Sequence, residues 1–249
     1  PAQQALGRML VMTDAAHSIG AKLNGKPAVQ AGDVSVYSFH AVKNLTTAEG
    51  GAINLNLSEY FEEDKIYSYL NTMSLHGQSK DALEKFGKGS WEYDVIDAGF
   101  KCNMPDVLAA IGLVEVKRYE TDTLIKRKSV YNRYLDRLNK MDDIVLPYML
   151  DDNREGSYHL FLLRLKDPNR EKRDLIIDEM ADKGISLNVH YKPLPLLTAY
   201  ASRGYKMEDY PRASALFESV ISLPVFYDLS LEQIDYLCDT LEEVLKKVV

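Results

Sequence analysis

The chain has 249 residues, enough for one large α/β domain or two modest ones. Hydrophobic residues make up 46% and charged residues 27%, the balance of a soluble globular protein, and the net charge of −7 argues against a nucleic-acid binder, which ordinarily carries a basic face. No apolar run reaches the roughly 18 residues of a membrane helix, Pro1–Arg8 lacks the order of a signal peptide, and Cys102 and Cys238 form neither a metal-spaced set nor a disulfide scaffold. A cytoplasmic protein without a metal site is therefore expected.

The chain opens on Pro1 and runs within a few residues into Met9–Asp14, which reads as a short buried strand ending on an acid. This looks like a chain cut inside a domain. Asp33–Phe39 alternates Val34 and Val36 with Ser35 and Tyr37 and reads as a second strand; Ala52–Leu57 alternates again. Helical spacing follows from Glu59 to Leu70. Residues 74–103, rich in Gly, Ser, Lys and aromatics, read as an ordered loop region because Trp91, Tyr93 and Phe100 are unlike a disordered linker. Pro105 and Asp106 start a helix carrying Val107, Leu108, Ala110, Ile111 and Val114, and a more polar helical signal continues to about Leu138.

A second organisation begins near Asp142. Tyr158–Leu165 reads as a strand, Asp167-Pro168-Asn169 as a turn, and Leu175, Ile176 and Met180 as one face of a helix closed by Gly184. Ile185 to Tyr191 alternates as a strand ended by Pro193. The last helix opens on a capping box, Ser230 with Gln233, and bears the stripe Ile234, Leu237, Leu241, Val244, Leu245 and Val248. Strands interleaved with helices predict an α/β large domain over 1–125, and residues 126–249 a smaller α+β domain.

Two segments carry chemistry. In Ser38-Phe39-His40-Ala41-Val42-Lys43-Asn44-Leu45, a lysine follows a strand end, where ligands bind in open α/β sheets. Phe39, Val42 and Leu45 offer an apolar setting that desolvates an amine, as a Schiff-base lysine needs, although most lysines are solvated surface charges. Gly50-Gly51 permits a tight turn or close backbone approach to a ligand. In Thr13-Asp14-Ala15-Ala16-His17, Asp14 either caps a helix through Ala15–Ile19 or holds a protonated ring nitrogen. His17 by itself reads as a structural histidine.

Read together, Asp-Ala-Ala-His at 14–17, Gly-Asp-Val-Ser-Val-Tyr-Ser-Phe-His at 32–40 and Lys-Asn-Leu-Thr-Thr-Ala-Glu-Gly-Gly at 43–51 resemble the DegT family of sugar-nucleotide aminotransferases, which depend on pyridoxal 5′-phosphate (PLP). Gly99–Asp106 with Ala109–Gly112, His159-Leu160-Phe161 and Val189–Leu194 resemble further motifs of that family in the same order. The resemblance runs from about Met9 to the C-terminus.

It implies an aspartate-aminotransferase-like fold, a PLP-binding large domain with a mixed, mostly parallel sheet and a small C-terminal domain. It also implies roles for named residues. Lys43 would form the Schiff base with PLP and move protons; Asp14 would pair with the pyridine nitrogen; His17 would lie by the ring; Ser38 would hold the phosphate. Asn103 would reach the phosphate site of the other subunit of a homodimer with a shared active site. His190 and Tyr191 would lie near the sugar, with His40 and His159 as further substrate candidates, although adjacent strand residues point to opposite faces unless the strand breaks there. His76-Gly77 reads as a surface loop. The family begins with a further N-terminal portion, including a phosphate-binding turn at a helix start, that nothing before Met9 supplies. The expected reaction moves an amino group, from glutamate, to a 4-keto-6-deoxy sugar linked to a nucleoside diphosphate, in surface polysaccharide, glycoprotein or antibiotic glycan synthesis. Two alternatives are the family's dehydratase branch, which carries His in place of the lysine present here as Lys43, and a non-catalytic regulatory member.

Overall fold

A computed structural model describes residues 2–79 and 92–248; Trp91 of the expected ordered loop lies outside the described residues. The chain divides into two compact units, Pro1–Tyr119 and Glu120–Val249.

The first unit opens with helix α1 (Ala2–Leu6) and strand β1 (Met12–Asp14). Strands β2 (Lys22–Leu23) and β3 (Lys26–Pro27) form a hairpin whose tip, Asn24 (φ 52°) and Gly25 (φ 75°), supplies the two left-handed residues that a tight two-residue turn requires. Strand β4 (Val34–Ser38) then pairs parallel with β1, Asp14 opposite Val36, and antiparallel with β5 (Gly51–Leu55), Ser38 opposite Gly51. The mixed sheet is ordered β1-β4-β5. Its register puts Met12, Asp14, Val36, Ser38 and Ile53 on one face and Thr13, Ser35 and Tyr37 on the other. Thr13 Oγ1 donates to the fully buried Ser35 Oγ at 2.7 Å on the covered face. The opposite face is open: Met12 is 67% exposed and Ile53 50%, so β1 is not the buried strand its apolar residues suggest.

Helix α2 (Glu63–Ser74) starts later than the spacing predicts. Phe61 N–H closes a turn on Ser58 O, and the Glu63 carboxylate accepts the Leu57 N–H at 3.0 Å, so residues before Glu63 are spent on a turn. Within 74–103 the described residues form two antiparallel bridges, Leu75 with Lys101 and Gln78 with Val95. Helix α3 (Asp106–Arg118) follows Pro105 as expected, yet none of its residues is buried.

A π-helical turn that starts on the last residue of the first unit (Tyr119–Thr123) runs into α4 (Leu124–Leu138) of the second. Strands β6 (Ile144–Val145) and β7 (Arg154–Glu155) precede β8 (Phe161–Leu165); then come α5 (Arg170–Asp182), α6 (Thr198–Ala201), α7 (Pro211–Ser219), β9 (Val220–Leu223) and α8 (Leu231–Val248). Strands β6, β8 and β9 form an antiparallel sheet in that order. Phe161, Leu163, Ile221 and Leu223 line its inner face beneath Tyr131, Tyr134, Ile176, Met180, Ile234 and Leu241. The Phe161 ring lies 4.7 Å from Tyr131 and 4.9 Å from Tyr134 between centroids. Burying side chains of this size contributes about 1.5–3 kcal/mol each.

Two local signals of this half act as the sequence predicts. Gly184 (φ 78°) closes α5 with Gly184 N–H on Ala181 O and Ile185 N–H on Met180 O, while Asn169 Oδ1, read only as part of a turn, caps the start of α5 through Lys172 N–H. Ser230 and Gln233 exchange the two hydrogen bonds of a capping box. Three expectations fail. Leu175 lies outside the buried face shared by Ile176 and Met180. Strand β8 starts at Phe161 because buried Arg127 takes the carbonyls of Tyr158 and His159, at 3.0 and 2.8 Å, that a ladder would need. The strand expected over Ile185–Tyr191 shrinks to one bridge, Asn188 with Ser222, because Asn188 Oδ1 then captures the Val189 N–H at 2.7 Å and diverts the backbone.

Candidate active site

Asp14 and Ser38 end neighbouring parallel strands on the same sheet face, at the carboxyl edge where such sheets bind ligands. Asp14 is exposed, and one of its oxygens accepts the Ala16 N–H at 3.0 Å. The segment after it is a turn, so the helix that one of the two readings had Asp14 capping does not form. The Ser38 hydroxyl accepts the His40 N–H at 3.3 Å, and Lys43 N–H closes a turn on the His40 carbonyl at 2.9 Å. The Asp14 carboxylate and the Ser38 hydroxyl thus stand at one edge, and the Lys43 backbone turns in the loop that leaves it. Val36 and Ile53 lie alongside Asp14 and offer apolar surface.

The apolar setting expected around Lys43 is partial: Leu45 is buried, but Val42 is 67% exposed. Lys43 itself is half-buried. Gly50 and Gly51 make their close approach to the protein and not to an open ligand cradle. A Cβ on Gly51 would lie 2.7 Å from Tyr37 O, and one on Gly50 would lie 2.5 Å from Thr47 Oγ1. His17 is half-buried and engaged with neighbours. His40 Nε2 faces Glu49 Oε1 at 3.7 Å. Asn103 is exposed, and its carbonyl oxygen accepts from Lys101 of its own chain. His76 (φ 61°) is exposed in a turn packed on Asp97–Gly99: a Cβ on Gly77 would collide with Asp97 O.

In the second unit, the His190 and Tyr191 rings meet edge to face, 4.7 Å between centroids, and the peptide joining them is cis. Both line a cavity of about 410 Å³ with Arg164, Leu162, Leu216 and Phe217. His190 Nδ1 is hydrogen-bonded to the buried Ser222 hydroxyl at 2.7 Å. His159 is buried, its backbone held by Arg127. Sequence reasoning misses Ser222, Asn44 and Tyr119, whose partners lie far along the chain and carry no local signal.

The sequence profile of the DegT/DnrJ/EryC1/StrS aminotransferase family matches residues 5–242. The chain is similar to Spr1654 of Streptococcus pneumoniae, provisionally assigned as a sugar aminotransferase. Its PMP-form structure superposes with a TM-score of 0.92 at 42% identity, over 99% of this chain and 61% of that one; a PLP-form structure of the same protein gives 0.90 at 40% identity. The spore coat polysaccharide biosynthesis protein SpsC of Bacillus subtilis is 29% identical over 96% of this chain and 60% of its own. The UDP-4-amino-4,6-dideoxy-N-acetyl-β-L-altrosamine transaminase of Campylobacter jejuni is 26% identical over 96% of this chain and 59% of its own. The chain thus spans about three fifths of the length of these relatives. With the profile matched across nearly all of its residues, the chain belongs to the DegT/DnrJ/EryC1/StrS aminotransferase family.

Proposed function

We propose that this chain carries the catalytic centre of a PLP-dependent aminotransferase acting on a keto sugar linked to a nucleoside diphosphate. One observation carries the reading: Asp14 and Ser38 end paired parallel strands on the same sheet face, and the loop that bears Lys43 leaves from that carboxyl edge. That donor set fits PLP, which has a protonatable ring nitrogen for Asp14, a phosphate for Ser38 and an aldehyde for the Lys43 amine. When bound, PLP supplies the electron sink that makes a substrate C–H acidic. The Asp14 carboxylate would keep a proton on the ring nitrogen. Lys43 would anchor the cofactor, and its released amine would take the proton from the donor's α-carbon. His17 would lie by the ring; His190 and Tyr191, with His40 and His159, would orient the sugar.

The relatives support the substrate class. Spr1654 is solved in both PLP and PMP forms, the two forms a transaminase cofactor alternates between. The Campylobacter jejuni protein acts on a UDP-linked 4-amino-4,6-dideoxy sugar, in keeping with a 4-keto-6-deoxy acceptor here. Glutamate is the proposed donor. A homodimer is proposed as the active unit, with Asn103 reaching the partner's phosphate site. The uncovered row Val107, Ile111 and Val114 on α3 supports an interface there. Mixing Asn103→Ala and Lys43→Ala proteins under proven subunit exchange should restore activity; failure would remove the shared site. For the cofactor, Lys43→Ala should abolish the visible absorbance of the PLP-loaded full-length protein, and a variant that keeps the wild-type band would refute Lys43 as anchor.

A further inference from the structure

We propose that the Tyr119 hydroxyl is a positioning group that locks the Lys43 loop against the Asp14–Gly20 loop, fixing two parts of the cofactor site relative to one another. The proposal rests on the reading of Lys43 and Asp14 as cofactor residues. Tyr119 Oη donates to the Ile19 carbonyl at 2.8 Å and accepts from the Asn44 amide at 3.3 Å. These partners lie 100 and 75 residues away in sequence. Asn44 is the residue after Lys43, and Ile19 is two residues beyond His17. Tyr119 is 4% exposed and Asn44 6%, so water does not compete for the bridge.

A second contact registers the same loop on α3, the helix that Tyr119 follows. A Cβ on Gly112 of α3 would lie 2.9 Å from Thr47 Cγ2, so glycine is what lets the helix approach. Gly112 and Tyr119 are about two helical turns apart and share a face. Thr47, fully buried, donates its N–H to Phe39 O and its hydroxyl to Glu49 O at 2.8 Å, which shapes the loop from inside. The Lys43 loop is thus held at Asn44 by Tyr119, the residue after α3, and at Thr47 by Gly112 of α3, and the Tyr119 hydroxyl carries that grip across to the loop after Asp14.

Tyr119→Phe keeps the ring and removes the hydroxyl, so the buried Asn44 side chain and the half-buried Ile19 carbonyl lose the bridge between them. In the full-length protein without added cofactor, amide hydrogen exchange should accelerate about fivefold or more in both segments 15–20 and 40–48. PLP release from the loaded variant, followed by visible absorbance, should accelerate by a similar factor. Tyr131→Phe is the control: its hydroxyl is also buried but makes no hydrogen bond among the described residues, and neither readout should move. Unchanged exchange in both segments would overturn the bridge. Faster exchange with unchanged PLP release would overturn its positioning role. A wild-type protein that takes up no PLP would instead sink the cofactor reading, with exchange still deciding the bridge. Should Tyr119→Phe fail to fold, Asn44→Ser cuts one arm alone: exchange should rise in 40–48 and stay slow in 15–20, and slow exchange in both would count against the bridge.

Discussion

The two units hold themselves together by different means. In Glu120–Val249 the buried hydrophobic residues, apart from Phe217 and Val220, form one continuous cluster, from Val130 on α4 to Leu245 on α8, with a sheet face beneath three helices. In Pro1–Tyr119 the buried hydrophobic residues are Ala15, Leu45 and Tyr119 among those described, while Met12, Ile53, Val107 and Val114 lie open. What fixes the first unit is a set of long-range polar ties: Arg8 to Asp33, Thr13 to Ser35, and Tyr119 to Asn44 and Ile19. Burial gives the second unit a stable body. Directional hydrogen bonds give the first unit loop geometry without a core of matching size, and it is the first unit that carries Asp14, Ser38 and Lys43.

The difference can be broken most simply by separating the units. Residues 120–249 alone should unfold cooperatively in urea, whereas 1–119 alone should show no cooperative transition and should bind a hydrophobic dye. A sharp transition in 1–119 would mean that its polar ties suffice. At the level of single side chains, Leu241→Ala should cost about 2–5 kcal/mol of unfolding free energy. Val114→Ala should stay within about 0.5 kcal/mol in a monomer; a larger, concentration-dependent loss would place α3 in an interface.

The polar ties make the first unit sensitive to acid. The Arg8 guanidinium, with the Val11 N–H, holds the Asp33 carboxyl down from 3.8 to about 2. A depressed carboxylate contributes stability that is present above its unfolded value, near pH 4, and lost as pH falls through its folded value, near pH 2. Thermal melts of wild type and Arg8→Ala should therefore differ at pH 6 and converge toward pH 2. A gap that persists at pH 2 would show that the pair acts through packing. The smallest effect concerns the thiols. Burial pushes the Cys238 thiol up to about 12, whereas Cys102 is exposed. A native-state alkylating reagent should label Cys102 alone, with Cys238 reacting on unfolding; equal labelling would contradict the packing of α8.

How much of this was readable in the residues follows from the range of the forces involved. The caps at Gly184 and Ser230 and the stripe of α8 are signals within a few residues, and the structure uses each one; Asn169, read only as part of a turn, also caps α5. The expected strand over Ile185–Tyr191 fails because alternation records burial alone; Ile185 and Leu187 are indeed buried, but the Asn188 side chain takes the backbone donor. The apolar residues of α3 show helical spacing but cannot say what covers them. Asp14, Ser38 and Lys43 are named as cofactor residues through family resemblance, and the strand register adds that Asp14 and Ser38 share a face. The Tyr119 bridge was not legible at all: its partners meet through folding. Among the described residues no helix is long and apolar enough to cross a membrane.

The most direct test of the central claim is a visible absorbance spectrum of the full-length protein loaded with PLP, before and after adding glutamate. The account predicts a band that shifts from the aldehyde form of the cofactor to its amine form in the wild type and is absent from Lys43→Ala. A wild-type protein that stays colourless in excess PLP, or whose band no amino-acid donor moves, would contradict it.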